Sequence, residues 1–310
     1  MDTRQFVLKT LAYFDLFDYP LTKDELLRFL WRARVDNIAE LDGVLKKLLL
    51  EKLIDTRSEF YFLTGRENSV AQREKSAQET EKKLFLARRA VKLIRTVPFL
   101  RAVFACNSVG AGAATADSDI DFFIITAPGR IWIVRLFTNL ILRLFGLRTY
   151  GDRRANKICL SFYVDFNHLN FSSWRVVDDD VYLAYWLYQL IPLYDPDNYY
   201  RRLLAANGWT KEFLPGAIQP SGNFSEAKIS RVGVGWKKIW EKMWSKAYGD
   251  LLEKQAKGAQ WQKLKLSIKD AAARHDSAVV IEEGIIKLHE NDRRAEYREQ
   301  WLNKIKQFSN

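Results

Sequence analysis

The sequence predicts an α+β fold in which a small mixed sheet, flanked by helices, lies between two mainly helical regions. Two short runs of β-forming apolar residues, 102–106 and 120–125, are separated by a turn of small residues. On either side of these runs, apolar residues recur at helical spacing. Of the 310 residues, 48% are hydrophobic and 14% are aromatic, which argues against disorder and allows two or three compact units.

Residues 1–64 are predicted to form three helices followed by a β-hairpin. The first helix ends at a break before Thr22, and Thr22 with Glu25 three residues later forms a capping box for the second. Leucines at helical spacing predict the third helix, and two β-compatible runs follow at 53–57 and 59–63. This order is that of a winged helix-turn-helix domain, whose third helix commonly enters the major groove of DNA. The charges on this third helix are balanced, so an interaction or scaffolding role is favoured and DNA is the alternative partner.

The rest of the chain divides into three further segments. Residues 65–98 are highly charged and periodic, which predicts a long connecting helix, and residues 99–215 contain the β-compatible runs. Beyond a linker rich in Gly, Pro, Ser and Asn at 215–225, residues 226–310 are predicted to be helical. The apolar run 131–147 contains two arginines and is shorter than a bilayer requires, so it is predicted to be a buried helix and no membrane partner is expected.

Charge and cysteine content limit the classes of function. The net charge of +11 is concentrated in residues 225–310, which carry 18 basic and 12 acidic side chains. Such an excess is more typical of a solvated helical surface than of a nucleic-acid site. Cys106 and Cys159 lie in apolar runs and are predicted to be buried thiols of a cytoplasmic protein. Two cysteines and three scattered histidines exclude a disulfide framework and a structural zinc site, and the N terminus does not resemble a signal peptide.

Two aspartates in the central segment indicate its chemistry. Asp119 and Asp121 open the second β-compatible run, and because side chains alternate along a strand, both should point to one face. Two neighbouring carboxylates repel each other unless a cation lies between them. Mg²⁺ commonly fills this role, since it binds one or two carboxylates and completes its coordination with water and substrate phosphates. The pair therefore predicts a site for phosphoryl or nucleotidyl transfer.

The turn before the aspartates is suited to binding an anion. Gly110 and Gly112 would let backbone amides approach a phosphate closely, and the Ser108 hydroxyl could donate a hydrogen bond to it. The turn lacks the third glycine of a dinucleotide-binding fingerprint, and no P-loop occurs in the chain. The alternative is a small-residue helix start that binds no ligand.

These residues also resemble the motif of the polymerase β-type nucleotidyltransferase superfamily. The matching pattern is Asn107-Ser108-x-Gly110-x-Gly112, then five residues, then Ser118-Asp119-Ile120-Asp121, with Asn107 in place of the family's glycine and Gly110 in place of its alanine. The resemblance implies a polymerase β-like domain in which Asp119 and Asp121 bind Mg²⁺. It also implies that a nucleoside triphosphate is bound by the other polar and small positions of the motif, namely Asn107, Ser108, Gly110, Gly112 and Ser118. Residues 100–215 are similar to an uncharacterised bacterial group of nucleotidyltransferase-domain proteins.

The superfamily usually supplies a third carboxylate from a later, neighbouring strand. The run 158–165 is predicted to be that strand, and on the face of Ser161 and Tyr163 only Asp165 can serve. In the alternative, the third carboxylate is absent and Ser161 stands where it would be expected.

Two functions from different classes follow. In the first, the chain is a Mg²⁺-dependent nucleotidyltransferase that moves a nucleoside monophosphate to a hydroxyl of a protein, a tRNA end or a small molecule. In the second, the domain is degenerate and binds a nucleotide or a protein without catalysis. A winged-helix regulator that binds DNA and senses a ligand is a further alternative.

Overall fold

The computed structural model describes residues 3–35, 37–149, 151, 153–218, 229–274, 277–288 and 292–308. It is a mixed α+β structure, as predicted. The helices are α1 (Thr3–Asp15), α2 (Lys23–Phe29), α3 (Ile38–Leu50), α4 (Asn68–Ile94), α5 (Asn107–Gly110), α6 (Ile131–Leu144), α7 (Val181–Gln189), α8 (Tyr199–Ala206), α9 (Thr210–Phe213), α10 (Arg231–Met243), α11 (Ala247–Gln262), α12 (Leu266–Ala273) and α13 (Arg294–Lys306). The strands are β1 (Leu21–Thr22), β2 (Ile54–Arg57), β3 (Phe60–Leu63), β4 (Leu100–Ala105), β5 (Ile120–Thr126), β6 (Ile158–Asp165), β7 (Ile191–Tyr194), β8 (Val279–Glu282) and β9 (Ile285–Leu288).

The N-terminal segment contains α1 to α3 and an antiparallel sheet in the order β1-β3-β2. The predicted capping box is confirmed: the Thr22 hydroxyl accepts from the Glu25 amide at 3.2 Å, and the Glu25 carboxylate accepts from the Thr22 amide at 3.0 Å. The core of this segment also contains Tyr185 of α7 and Trp301 of α13. The Trp301 indole donates to the Lys9 carbonyl oxygen at 2.9 Å. Its apolar core therefore crosses the predicted boundary at residue 64.

The central sheet has the strand order β7-β4-β5-β6-β9-β8. Strands β5 and β6 are parallel, and the other neighbouring strands are antiparallel. Apolar residues of α4, α6 and α11 pack on one face, and those of α7 and α8 pack on the other. Both faces are covered, which explains why β4 and β5 read as nearly continuous apolar runs.

The C-terminal prediction is wrong for residues 279–288. This segment was expected to be helical, but it forms the hairpin β8–β9, and β9 pairs with β6 in the central sheet. Gly284 has φ +72° at the hairpin turn, a conformation that favours glycine. Each strand of the hairpin has only four residues, which is too short to be distinguished from the helical pattern of the segments on both sides. Residues 219–225 of the predicted linker lie outside the described residues.

Residues 131–144 of the apolar run form helix α6, as predicted, but the helix is buried on one side only, since Leu136, Leu140 and Leu144 are exposed. Arg135 of this helix is directed toward α11, where its guanidinium donates to the Gln260 side chain at 2.7 Å. Within the described ranges, no helix has both the length and the apolar character needed to cross a bilayer. The predicted connecting helix corresponds to α4, which lies within 65–98.

Candidate functional site

All the predicted site residues except Asp165 lie where β4 ends and β5 begins. Strand β4 ends at Ala105 and is followed by the short helix α5 and a turn that leads to Asp119. Because β5 and β6 are parallel, their first residues lie side by side, and Asp121 is paired with Cys159. The fold therefore places two aspartates and one cysteine at the same edge of the sheet.

Asp119, Asp121 and Cys159 form a compact cluster. One ligand atom from each side chain lies within 4.8 Å of the others, and all three residues are partly exposed. Burial and the neighbouring charge of Asp119 raise the pKa of the Asp121 carboxyl to about 6, although a hydrogen bond from the Asn107 side chain opposes the rise. Burial and the charges of Asp121 and Asp119 raise the pKa of the Cys159 thiol to about 12. The cluster thus has an unfavourable negative potential, which a bound cation would relieve.

Asn107 connects this cluster to an adjoining cavity. Its backbone has φ +52°, the left-handed region that asparagine tolerates better than most residues and that glycine adopts freely. Its side-chain oxygen accepts from the Trp186 indole at 3.0 Å, while its amide group contacts Asp121. Asn107 therefore keeps a backbone conformation suited to glycine and adds a side chain that orients the Asp121 carboxyl.

The cavity beside Asn107 has a volume of about 180 Å³. Its lining is mainly aromatic and also contains charged side chains. The lining includes Phe162, Trp174, Tyr182, Trp186, Tyr297, Lys287, Asp292 and Arg294. The charged residues are already engaged with one another, since Arg294 pairs with Asp292 at 2.6 Å and with Asp180 at 2.9 Å. The cavity therefore offers stacking surfaces and a fixed charged wall next to the aspartates.

The two glycines of the turn have structural roles. The Gly110 amide donates to the Cys106 carbonyl oxygen and the Gly112 amide to that of Val109, each at 3.2 Å. A Cβ atom on Gly110 would lie 2.9 Å from the backbone oxygen of Gln189, so this position requires a glycine for packing against the end of α7. Gly112 has φ +72°. Both amides are thus used within the turn, which does not fit the role in phosphate binding that the sequence suggested for them.

The two predicted serines differ in their surroundings. Ser118 closes the loop before the aspartates: its hydroxyl donates to the Thr115 carbonyl oxygen at 3.0 Å and accepts from the Thr115 amide at 3.3 Å. Ser108 lies in α5, beside Asn107, and is partly exposed. Ser118 therefore shapes the loop, whereas the role of Ser108 in binding a ligand stays a prediction.

Lys83 of α4 is a positioning residue that sequence reasoning missed. It is fully buried, and its ammonium group donates to the carbonyl oxygens of Ala116 at 3.3 Å and Ser118 at 2.7 Å. It also donates to the side chain of Asn156 at 2.9 Å. Burial lowers the pKa of Lys83. The sequence feature that could have identified Lys83 is its position within the apolar stripe of α4, next to Leu84.

Substitution of Lys83 by methionine is expected to loosen the loop that carries Asp119. The Ala116 carbonyl oxygen would lose this donor, and that of Ser118 would keep the Asn156 amide at 3.2 Å, so the expected cost is about 1–3 kcal/mol. Loss of such outer-shell support should weaken divalent-cation binding about tenfold or more. Urea denaturation and cation titration measure the two effects. Lys82→Met is the matched control, since Lys82 is exposed and pairs with Glu79 in the same helix. Equal behaviour of the two variants would contradict the role of Lys83.

Asp165 does not join the cluster. It pairs with Thr126, at the opposite end of β5 from Asp121, which places it roughly 15 Å away along the strand. Its carboxylate accepts from the Asn167 amide at 3.0 Å and lies 2.6 Å from Nδ1 of His168. Asp165 therefore has structural partners of its own, and the prediction that it completes the site is not supported by its position.

A β-bulge explains why the strand pattern was misread. Asp121 pairs with Cys159 and Phe123 with Phe162, so three steps along β6 correspond to two along β5. After this bulge, Phe162 and Val164 lie on the face of Phe123, whereas Tyr163 packs on the opposite face. Alternation then directs Asp165 to the face of Tyr163. The residue beside Asp121 is Cys159, which was predicted to be only a buried thiol.

No protein-family model matches the chain, and no curated protein matches it significantly. The functional assignment therefore depends on the motif and on the arrangement of its side chains.

Proposed function

We propose that the chain is a nucleotidyltransferase that binds a nucleoside triphosphate together with Mg²⁺ and transfers a nucleoside monophosphate to a hydroxyl acceptor. The observation that carries this proposal is the pairing of Asp119 and Asp121 at the start of β5, directly after the turn that follows β4. On this interpretation, residues 99–215 are a polymerase β-like domain. Residues 1–64 are a winged helix, consistent with the order of α1 to α3 and β1 to β3.

The donor atoms of the pair suit Mg²⁺, which prefers carboxylate oxygens. Asp119 and Asp121 would hold the cation, and when bound it supplies the positive charge that neutralises the triphosphate. Asn107 orients the Asp121 carboxyl. Arg148 lies close enough to lower the pKa of Asp121 and adds positive charge beside the site.

On this proposal, the triphosphate binds beside the aspartate pair, at the turn that follows β4. In the transfer step, the acceptor hydroxyl oxygen bonds to the α-phosphorus as the α–β bridging bond breaks. Pyrophosphate leaves, and the hydroxyl proton passes to a base or to solvent.

A second function, nucleotide binding without transfer, is favoured by one specific observation. The side chain opposite Asp121 on β6 is Cys159, and Asp165 lies at the other end of the strand. Because its pKa is raised, the Cys159 thiol stays protonated at neutral pH and cannot accept the proton of the acceptor hydroxyl. The same site would then sense or hold a nucleotide.

A thermal-shift screen of the four nucleoside triphosphates, with and without Mg²⁺, tests binding. The parent is expected to gain about 2 °C or more with one nucleotide in the presence of Mg²⁺, since saturation at 100 times Kd stabilises a protein by about 2.7 kcal/mol. Asp119→Asn should lose this gain. Asp117→Asn is the matched control, because Asp117 is an exposed acid in the same turn.

Release of labelled pyrophosphate then separates the two functions. Binding with turnover supports the transferase, and binding without turnover supports the second function. Absence of any Mg²⁺-dependent shift in the parent, or an unchanged shift in Asp119→Asn, would contradict both.

A further inference from the structure

We infer that Cys159 is a third metal ligand, and that the cluster of Asp119, Asp121 and Cys159 selects Zn²⁺ over Mg²⁺. The inference rests on the proposed function, because it concerns the same aspartate pair, and it changes the preferred cation of that pair from Mg²⁺ to Zn²⁺. The observation behind it is that Cys159 lies opposite Asp121 on the neighbouring strand.

The backbone register brings the Cys159 sulfur to the aspartates. Cys159 is the direct neighbour of Asp121 across the parallel β5–β6 pair, and the three candidate ligand atoms lie within 4.8 Å of one another. Small movements of side chains suffice to bring such atoms to the distances of about 2.0 to 2.3 Å at which Zn²⁺ is bound by oxygen and sulfur. Cys159 is also partly exposed, so a cation can reach it from solvent. Cys106, by contrast, is buried, and its thiol donates to the backbone oxygen of Asp121 at 3.5 Å.

Ser161 supplies a second, independent indication of a ligand. It is buried, with 6% of its surface exposed, and among the described residues its hydroxyl oxygen has no hydrogen-bond partner. This hydroxyl lies beside the Cys159 thiol. An unpaired buried hydroxyl is costly, and a metal-bound thiolate next to it would accept its hydrogen bond. The serine thus occupies the position of an outer-shell donor to a Cys159 thiolate.

The chemistry of the donor set determines the preferred cation. Mg²⁺ is bound by oxygen ligands, whereas thiolates select Zn²⁺ and related thiophilic cations. Three protein ligands with one remaining position are typical of zinc sites that also bind a substrate or water. On binding, the Cys159 S–H bond is replaced by a sulfur–metal bond and the proton leaves to solvent, with no change of oxidation state.

Co²⁺ is the probe that tests this inference in the full-length protein. The parent is expected to show a sulfur-to-cobalt charge-transfer band in the near ultraviolet, because only a thiolate ligand produces it. Zn²⁺ should displace the band, and a large excess of Mg²⁺ should not. Cys159→Ser should lack the band and bind Zn²⁺ at least about tenfold more weakly, with its affinity for Mg²⁺ unchanged. Cys106→Ala, which removes the other cysteine, should retain the band.

The possible results separate this inference from the proposed function. A parent that is stabilised by a Mg²⁺-nucleotide complex but shows no thiolate band would overturn the cysteine ligand and leave the transferase or binding proposal intact. A thiolate band that is lost in Cys159→Ser supports the inference even if no nucleotide binds. Displacement of the cobalt band by Zn²⁺ or Mg²⁺ is measured on the parent alone. The cation preference of the cluster can therefore be tested even if Cys159→Ser folds poorly.

Discussion

Replacement of Asp121 by asparagine is expected to abolish cation-dependent nucleotide binding and, at the same time, to stabilise the metal-free protein at neutral pH. The carboxyl is partly buried beside Asp119, and both effects raise its pKa from 3.8 to about 6. Each pKa unit corresponds to about 1.4 kcal/mol, so the ionised carboxyl costs the folded state about 3 kcal/mol at pH 7. Asparagine is similar in shape but removes the charge that repels Asp119.

The sign of the pH dependence follows from the raised pKa. Between about pH 4 and pH 6 the folded parent holds this proton more tightly than the unfolded chain does, so its stability falls as the pH rises through that window. Asp121→Asn should lack this fall, and the two proteins should therefore differ most above pH 6. Urea denaturation at several pH values measures the difference. Asp117→Asn, which changes an exposed acid, should follow the parent.

Two results would contradict this assignment of Asp121. If Asp121→Asn bound a Mg²⁺-nucleotide complex as tightly as the parent, the carboxylate could not be a ligand of the cation. If the variant were less stable than the parent at pH 7, the aspartate would be a structural residue and not a functional residue held at a cost in stability.

Replacement of Cys159 by aspartate is expected to convert the cluster into a three-carboxylate site. The new carboxylate would lie opposite Asp121, where the thiol is now, and would offer Mg²⁺ the oxygen ligand that it prefers. We expect Mg²⁺ affinity to rise at least about tenfold, the thiolate band with Co²⁺ to disappear, and nucleotidyl transfer to increase if a missing base limits it. Isothermal titration with Mg²⁺ and release of labelled pyrophosphate measure these changes.

The matched control for this substitution is Cys159→Asn. Asparagine has the size of aspartate and lacks its charge, so it should give neither the gain in Mg²⁺ affinity nor the gain in transfer. An equal effect of both substitutions would show that removal of the thiol, and not addition of a carboxylate, is responsible. Unchanged Mg²⁺ affinity in Cys159→Asp would mean that Cys159 does not face the cation.

Several features could be predicted because they depend on residues close together in the chain. The Thr22–Glu25 capping box involves two residues three positions apart, and its geometry is local. The neighbouring positions of Asp119 and Asp121 follow from alternation along a single strand. Helix α6 was recognisable from one apolar run. In each case the spacing in sequence already determines the spacing in the structure.

Other features were decided by contacts between distant segments. Lys83 reaches the loop at 116–118 across more than thirty residues, and only the packing of α4 against that loop defines its role. The hairpin β8–β9 is too short to be recognised alone and is stabilised by pairing with β6.

By itself, the sequence determined that two carboxylates lie two positions apart at the start of one strand, next to a glycine-containing turn, because this spacing is a local property. The tertiary structure alone decided which residue faces them. The parallel register pairs Cys159 with Asp121, and the bulge beyond Cys159 shifts the alternation by one residue, which turns Asp165 to the opposite face. A single extra residue in one strand changes the face of every side chain beyond it, and the pairing that accommodates that residue is made with a strand more than thirty residues earlier in the chain.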